Sequence, residues 1–397
     1  MTDLEALYRA VLEHPDDDTP RLIYADALED SGNAGRASFI RAHVAADRVP
    51  PYDSVAIRFR LHDLPALGDW PLETLPELPA GLNWVEQPFR RGFPAAVEAG
   101  DGAAFVAHWR ELFAIAPVQE LHLDAIPLPN LAGLVECPGL SRIAKFVLRE
   151  GAIGITAERL LASPHLMRLD DLYVGSQMST DGTDVAVVRS PAFARLRAFG
   201  CRNVRWPEPL FREINRLDHP PRLVKLNLAG NSIGFHLRMD EPDYDDHCFL
   251  FERIYDRIGE GLRELCLDEN DLGDEGLELL ASIRMPSLRS LSLRQTRADW
   301  NGLARLSHGG FIPNLVSLDL SGNYLGRRGA DLLVEMEPFE NLRILNLSGN
   351  GLDVDDAFRV GGSEFTVNLA LLDLRDNGLS PEGIAELRER FGDRVLA

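Results

Sequence analysis

The sequence predicts an α/β solenoid: short parallel strands lining a concave face, helices on the convex side, and a small all-α domain in front. Three observations predict it. Leucines recur every 26–27 residues through the second half of the chain, an asparagine recurs at a fixed offset from them, and residues 1–48 carry helical rather than repeat spacing.

The repeat reads L-x-x-L-x-L-x-x-N-x-L. Its copies are Leu223, Leu226, Leu228, Asn231, Ile233; then Leu262, Leu265, Leu267, Asn270, Leu272; then Leu288, Leu291, Leu293 with Thr296 at the Asn site. They continue with Leu315, Leu318, Leu320, Asn323, Leu325, with Leu342, Leu345, Leu347, Asn350, Leu352, and with Leu369, Leu372, Leu374, Asn377, Leu379. From Leu262 the starts step by 26, 27, 27 and 27 residues. Weaker copies start at Val118, Ile143, Leu169 and Leu196, with Ile126, Gly151, Gln177 and Val204 at the Asn site, and a degenerate one near Pro94 runs through Val97. The L-x-L alternation makes a short strand whose leucines face one side, and stacked copies make a parallel sheet. Asn231, Asn270, Asn323, Asn350 and Asn377 are expected to form a buried ladder, each amide serving backbone groups where the chain leaves a strand. Leu396 falls 27 residues after Leu369, which places the end of the chain where a further strand would start, with an open sheet edge.

A period of this length leaves room for a helix in each copy. The stretches Gly276–Ala281, Gly329–Leu333 and Gly383–Leu387 set a small residue ahead of a helical leucine, expected to let the helix lie close on the sheet. With Leu272-Gly273-Asp274-Glu275-Gly276 before the helix, this phrasing resembles the ribonuclease-inhibitor type of leucine-rich repeat over roughly residues 118 to 390. The resemblance implies a scaffold that binds other proteins.

Residues 1–48 read as three helices. A capping box of Thr2 and Glu5 opens the first, Thr19 with Pro20 the second, and Gly32 closes the second before a third from Gly35. The run from Pro15-Asp16-Asp17-Asp18-Thr19-Pro20-Arg21 through Ala25-Asp26-Ala27-Leu28, continued by Arg36 and Phe39-Ile40-Arg41, resembles the bacterial repeat-companion domain, which precedes repeat arrays and has no established activity. Residues 49–83 form a proline-rich connector with one helix around 55–64, residues 84–117 the cap of the solenoid, and residues 118–397 about ten repeats. In the cap, Phe89-Arg90-Arg91-Gly92-Phe93 reads as a turn with solvated arginines, with an anion or peptide contact as the other reading.

Composition narrows the function. A net charge of −21 repels phosphate backbones and anionic membranes, so neither nucleic acid nor lipid is an expected partner. No stretch reaches the roughly 18–20 apolar residues of a membrane span, the N-terminus lacks a secretory pattern, and the four cysteines lack paired spacing; together these point to the cytoplasm. Phosphate-binding loops, metalloprotease, redox and serine-hydrolase signatures are absent, so no catalytic residue, cofactor or metal is expected.

The expected function is a non-catalytic scaffold binding a protein partner. The x positions around L-x-L place Tyr173, Arg202, Asn227, Asp268, Arg294, Asp319, Asn346 and Asp373 on the concave face, which carries seven acids and six bases in all and is close to neutral. His122 falls there at an exposed repeat position, and Cys266 beside Glu264 and Asp268, whose charges would raise its pKa. The step from Leu223 to Leu262 is 39 residues, and its excess, near 234–248, forms an acidic rim with Asp240, Glu241, Asp243, Tyr244, Asp245 and Asp246. That loop reads as solvated first, a partner contact second and a cation site third. Two alternatives stand beside the scaffold: a regulator acting in trans on a partner enzyme, as GTPase-activating proteins on similar repeats do, through Arg327 or Arg328, and a structural paralogue without a specific ligand.

Overall fold

The computed structural model describes residues 3–51, 53, 56, 75–124, 126–149, 155–175, 185–202, 213–214, 216–231, 233–234, 258–335 and 339–397. The chain forms two compact units, residues 1–174 with 190–192 and residues 175–189 with 193–397.

In the first unit, α1 (Asp3–Glu13), α2 (Asp18–Asp30) and α3 (Ala34–Asp47) bury Val11, Ala25, Leu28, Ala37, Ile40 and Val44 around Phe93. The α2 cap corrects the expected one. Asp17, not Thr19, closes the helix, its carboxylate accepting from the Thr19 backbone N–H at 2.8 Å. An anionic acceptor there also suits the positive end of the helix dipole. Gly32, at φ +91°, turns the chain out of α2. The Thr2 cap and the connector helix lie outside the described residues.

Phe93 comes from a hairpin of β2 (Phe89–Arg90) and β3 (Phe93–Pro94). Its turn residues Arg91 and Gly92 both have positive φ, and a β-carbon on Gly92 would lie 2.6 Å from the Ile40 Cα, so only glycine lets α3 rest on the turn. The hairpin arginines stay partly exposed, as the solvated reading expects, but both are tied to distant groups. Arg91 donates from its backbone to Asp47 at 2.7 Å and from its guanidinium to the Asp16 carbonyl at 2.6 Å, and Arg90 reaches Glu120 at 2.8 Å. Arg36 lies over the rings of Phe39, Phe89 and Phe93 at 5.0, 5.8 and 5.4 Å and donates to the Gly92 carbonyl. The Asp16 carboxylate accepts from Gln119 at 2.6 Å and pairs with Arg168. The acidic turn is thus a clamp between the helices and the strands behind them.

Those strands begin with β1 (Leu82–Trp84), antiparallel to β4 (Ala96–Ala99), so that Trp84 faces Val97 and covers the first apolar layer. From β4 the sheet runs parallel through β5 (Glu120–Leu123), β6 (Lys145–Leu148) and β7 (Asp171–Gly175), aligning Val97, Leu121, Phe146 and Leu172. The degenerate copy through Val97 is therefore a true coil. Helices α4 (Ala103–Ile115), α5 (Leu128–Val135) and α6 (Ile155–Leu161) make the returns.

In the second unit, α7 (Val185–Arg189) precedes β8 (Ala198–Arg202), and β9 (Lys225–Asn227), β10 (Glu264–Cys266), β11 (Ser290–Ser292), β12 (Ser317–Asp319), β13 (Ile344–Asn346) and β14 (Leu371–Asp373) follow in parallel. The register sets Leu226, Leu265, Leu291, Leu318, Leu345 and Leu372 side by side, all at most 2% exposed. Each such side chain contributes roughly 2–3 kcal/mol of burial, so a one-residue slip would turn the whole row into water. Helices α8 (Gly273–Ser282), α9 (Trp300–Leu306), α10 (Gly326–Glu335), α11 (Val354–Gly361) and α12 (Pro381–Phe391) complete the coils.

Two expectations change. The chain does not stop short of its last strand: a 3-10 turn at Gly392–Arg394 brings it back early, and β15 (Val395–Leu396) pairs Leu396 with Asp373. Gly329 and Gly383, two of the three glycines expected to bring a helix onto the sheet, make room for other groups, as does Gly302. A β-carbon on Gly302 would meet Asp274 and Leu277 of α8, one on Gly383 would meet Val354 of α11, and one on Gly329 would meet Leu325 just before α10.

The strand exits are tied by side-chain amides. The Asn323 amide donates to the carbonyls of Leu320 at 2.9 Å and, one coil back, Leu293 at 2.8 Å, while its oxygen accepts from the backbone of Thr296 and Ala298. Asn231, Asn270, Asn350 and Asn377 donate in the same two-coil fashion. The residue before the amide site takes φ near +60° in the six coils from Gly230 on, whether it is Gly230, Gly322 and Gly349 or Glu269, Gln295 and Asp376. Thr296 satisfies only the Leu293 carbonyl of its own coil through its hydroxyl, so this one link is thinner. Asn323→Ala strands four buried backbone groups and is expected to cost about 2–4 kcal/mol in urea unfolding. Asn377→Ala, in a half-exposed coil, is expected to cost less than half of that; equal costs would contradict the ladder's role.

Candidate protein-binding face

The face of each sheet opposite the helices is built by alternation. Within L-x-L the leucines enter the core, and the residue between them, with those two positions before and after it, points outward. In the first unit this face centres on Glu120, only 4% exposed. Its carboxylate accepts from Arg90 at 2.8 Å and pairs with His122 Nε2 at 2.7 Å and Lys145 at 3.1 Å. Arg149 meets His122 Nδ1 at 3.3 Å, Glu98 at 2.8 Å and Asp124 at 3.4 Å. His122 is therefore not the exposed repeat position its spacing suggested. It bridges a half-buried network. Tyr173 lies half-buried on β7.

Burial alone would raise the Glu120 carboxyl. The His122 hydrogen bond and the charges of Arg90 and Lys145 outweigh it and hold the group at about 2, against an ordinary 4.5. A carboxyl held below its unfolded value stabilises the fold above pH 4.5 and loses that contribution as the pH falls toward 2.

The second unit carries most of the other expected residues. Asp268 accepts from the Ser292 hydroxyl at 2.6 Å and the Arg294 backbone at 2.9 Å. Asp319 accepts from the Ser321 backbone at 2.8 Å and the Asn346 amide at 2.9 Å, and Asp373, 3% exposed, is gripped by Arg375. Burial, reinforced by the neighbouring Asp268 charge, pushes the Asp319 carboxyl up. The Asn227 oxygen accepts from the Ala229 backbone. Arg202 and Arg294 converge on one carboxylate, Glu269, and Lys225 pairs with Glu264 at 3.4 Å. Burial first and Asp268 second push the Cys266 thiol up to about 12, far from a reactive thiolate.

Glu269 was not among the expected residues. It precedes Asn270 at φ +57°, and that conformation swings its side chain onto the rim between the two arginines. The usable signal was its place before the repeat asparagine, where the coils of Asn231, Asn323 and Asn350 carry glycine. Asp240, Glu241, Asp243, Tyr244, Asp245 and Asp246 lie outside the described residues. Arg327 and Arg328 are exposed at the start of α10; Arg328 lies 4.9 Å over the Trp300 ring, and Arg327 sits in the field of Asp356. Among the described residues no cluster of histidine, cysteine and acidic side chains has the make-up to hold a metal, and no helix is long and apolar enough to cross a membrane.

A leucine-rich-repeat family model matches residues 262–281, the coil that carries Leu262, Leu265, Leu267, Asn270 and Leu272. With the strand register and the asparagine bonds, that match decides the fold class. It is an α/β leucine-rich-repeat solenoid. No curated protein matches the chain. Among solved structures, it is similar to one titled as the complex of Rad7 and Elc1 in yeast (15% identity, 96% of this chain and 91% of that one, TM-score 0.49). An internalin, InlF, from Listeria monocytogenes is similar at 16% identity over 75% of this chain and 71% of its own, with a TM-score of 0.38. A Bacteroides fragilis protein is similar at 15% over 72% and 76%, with a TM-score of 0.46. Likenesses at these levels carry no inference about what this chain binds.

For Glu120, stability of the wild type is expected to fall between pH 5 and 2 by about 2 kcal/mol more than that of Glu120→Gln, after allowing for the half-exposed partners. Parallel pH profiles from thermal melts of the two proteins would contradict the network.

Proposed function

We propose that the chain is a non-catalytic protein-interaction scaffold of the bacterial cytoplasm, with ribonuclease-inhibitor-type repeats behind a repeat-companion domain, and that it docks a protein partner on the exposed sheet face. The observation that carries this reading is the mutual saturation of the face. Asp268, Asp319 and Asp373 are each held by neighbours on the same face, which leaves a flat, nearly neutral and pre-ordered polar surface. Such a surface loses little side-chain freedom when covered, which favours binding of another folded protein over capture of a highly charged one. Tyr173 supplies a larger polar group on the face of the first unit and Arg202, Asn227, Arg294 and Asn346 supply those of the second, and the segment 240–246 is a further candidate contact by its sequence.

The test is capture from native lysate with the full chain as bait. Ser290 and Ser317 sit half-buried in adjacent strands of the second unit. Ser290→Arg with Ser317→Trp is expected to lower retention of the captured protein at least about tenfold while the melting temperature holds. Glu386→Arg on α12 is expected to leave retention unchanged. Loss of retention in Glu386→Arg, or none in the double variant, would move the docking surface off the sheet.

A further inference from the structure

We propose that Trp300, Tyr324 and Arg328, at the rim of the second unit where strands give way to helices, form a second docking site, for an acidic peptide segment that carries an aromatic anchor. This rim is separate from the sheet face, so the two readings stand or fall apart. The Tyr324 backbone N–H donates to the Ala298 carbonyl at 2.9 Å, and Tyr324 pairs in a parallel bridge with Asp299, which fixes it beside Trp300. Its side chain is nevertheless 69% exposed, unusual for a tyrosine on so well fixed a backbone.

The positions equivalent to Tyr324 in neighbouring coils behave differently. Toward the N-terminus, Arg297 and Asp271 pair with each other at 2.7 Å. Toward the C-terminus the position is Gly351, where an added β-carbon would meet nothing within 4 Å. Tyr324 therefore stands as the wall of an open step with glycine as its floor. The Arg328 guanidinium lies 4.9 Å over the Trp300 ring, and a guanidinium over an aromatic face can still donate its N–H groups to a carboxylate.

Charge selects the ligand. The protein carries −21, and most arginines of this unit's rim and helices are neutralised, as Arg202, Arg294, Arg297, Arg305, Arg359 and Arg375 show. Among the described residues no carboxylate lies within ion-pair distance of Arg327 or Arg328. On the next coil Asp353 and Asp356 cap α11 for each other, while Asp355 is exposed. Arg327 shares the field of Asp356, so Arg328 is the guanidinium left for a ligand, and beside an exposed tyrosine and a tryptophan it makes the composition in which binding energy concentrates. The net charge of −21 opposes every polyanion and a phosphate backbone most, which favours a peptide with few carboxylates interspersed with aromatic residues.

Fluorescence anisotropy of the full chain with a labelled glutamate–tyrosine copolymer tests the proposal, with polyglutamate of equal length as control. The copolymer is expected to bind more tightly than polyglutamate, more weakly as salt rises, and about tenfold less tightly to Arg328→Gln or Tyr324→Ala. Arg328→Lys keeps the charge but not the planar stack, and carries the test if either variant melts early; it too is expected to weaken binding. Three results overturn the proposal: no binding of the copolymer, equal binding of both polymers, or variants that bind like the wild type. A concentration-dependent dimer that Tyr324→Ala abolishes would assign the site to a second copy and overturn it as well.

Discussion

Everything in the repeat region depends on how each coil disposes of its backbone polar groups at the point where the strand ends. The sheet satisfies the strand, and the helix or turn satisfies itself, but the exit between them lies buried against the next coil with carbonyls and N–H groups that water does not reach. One primary amide answers this need, because it offers two donors and an acceptor on a short side chain. Asn323 uses all three across two coils. The register of the leucines is kept in step by that link.

This explains what was legible in the sequence. Leu226, Leu265 and Leu291 are packed by alternation and period alone, and both survive in the linear chain. The exit conformation was not legible, because Glu269 and Gln295 adopt the φ of Gly322 without being glycine, their strain borne by the surrounding bonds. The partners of the hairpin arginines were missed for a related reason. Arg90 and Arg91 are tied to Glu120, Asp47 and Asp16, 30 to 75 residues away in the chain, and no local pattern records such partners. The Asp17 cap was missed because three successive aspartates and a threonine compete for one position, and the backbone, not the composition, chooses among them.

The exposed face shows a similar division. Alternation identified which residues point outward, including Asp268, Asp319 and Asp373, but not that each would be answered by a neighbour. Those answers come from register, which sets Asp319 beside Asn346 and Glu120 beside Lys145. The face is consequently a fixed lattice of hydrogen bonds rather than a field of free charges.

Backbone hydrogen exchange on the native protein tests the central link most directly. The N–H groups of Asn231, Ile233, Thr296 and Ala298 lie outside the sheet but are held by Asn270 and Asn323 oxygens. They are expected to exchange as slowly as the strand amides of Leu265 and Leu318. Exchange at rates typical of surface turns, with the strands still protected, would show that the coils are joined by leucine packing alone.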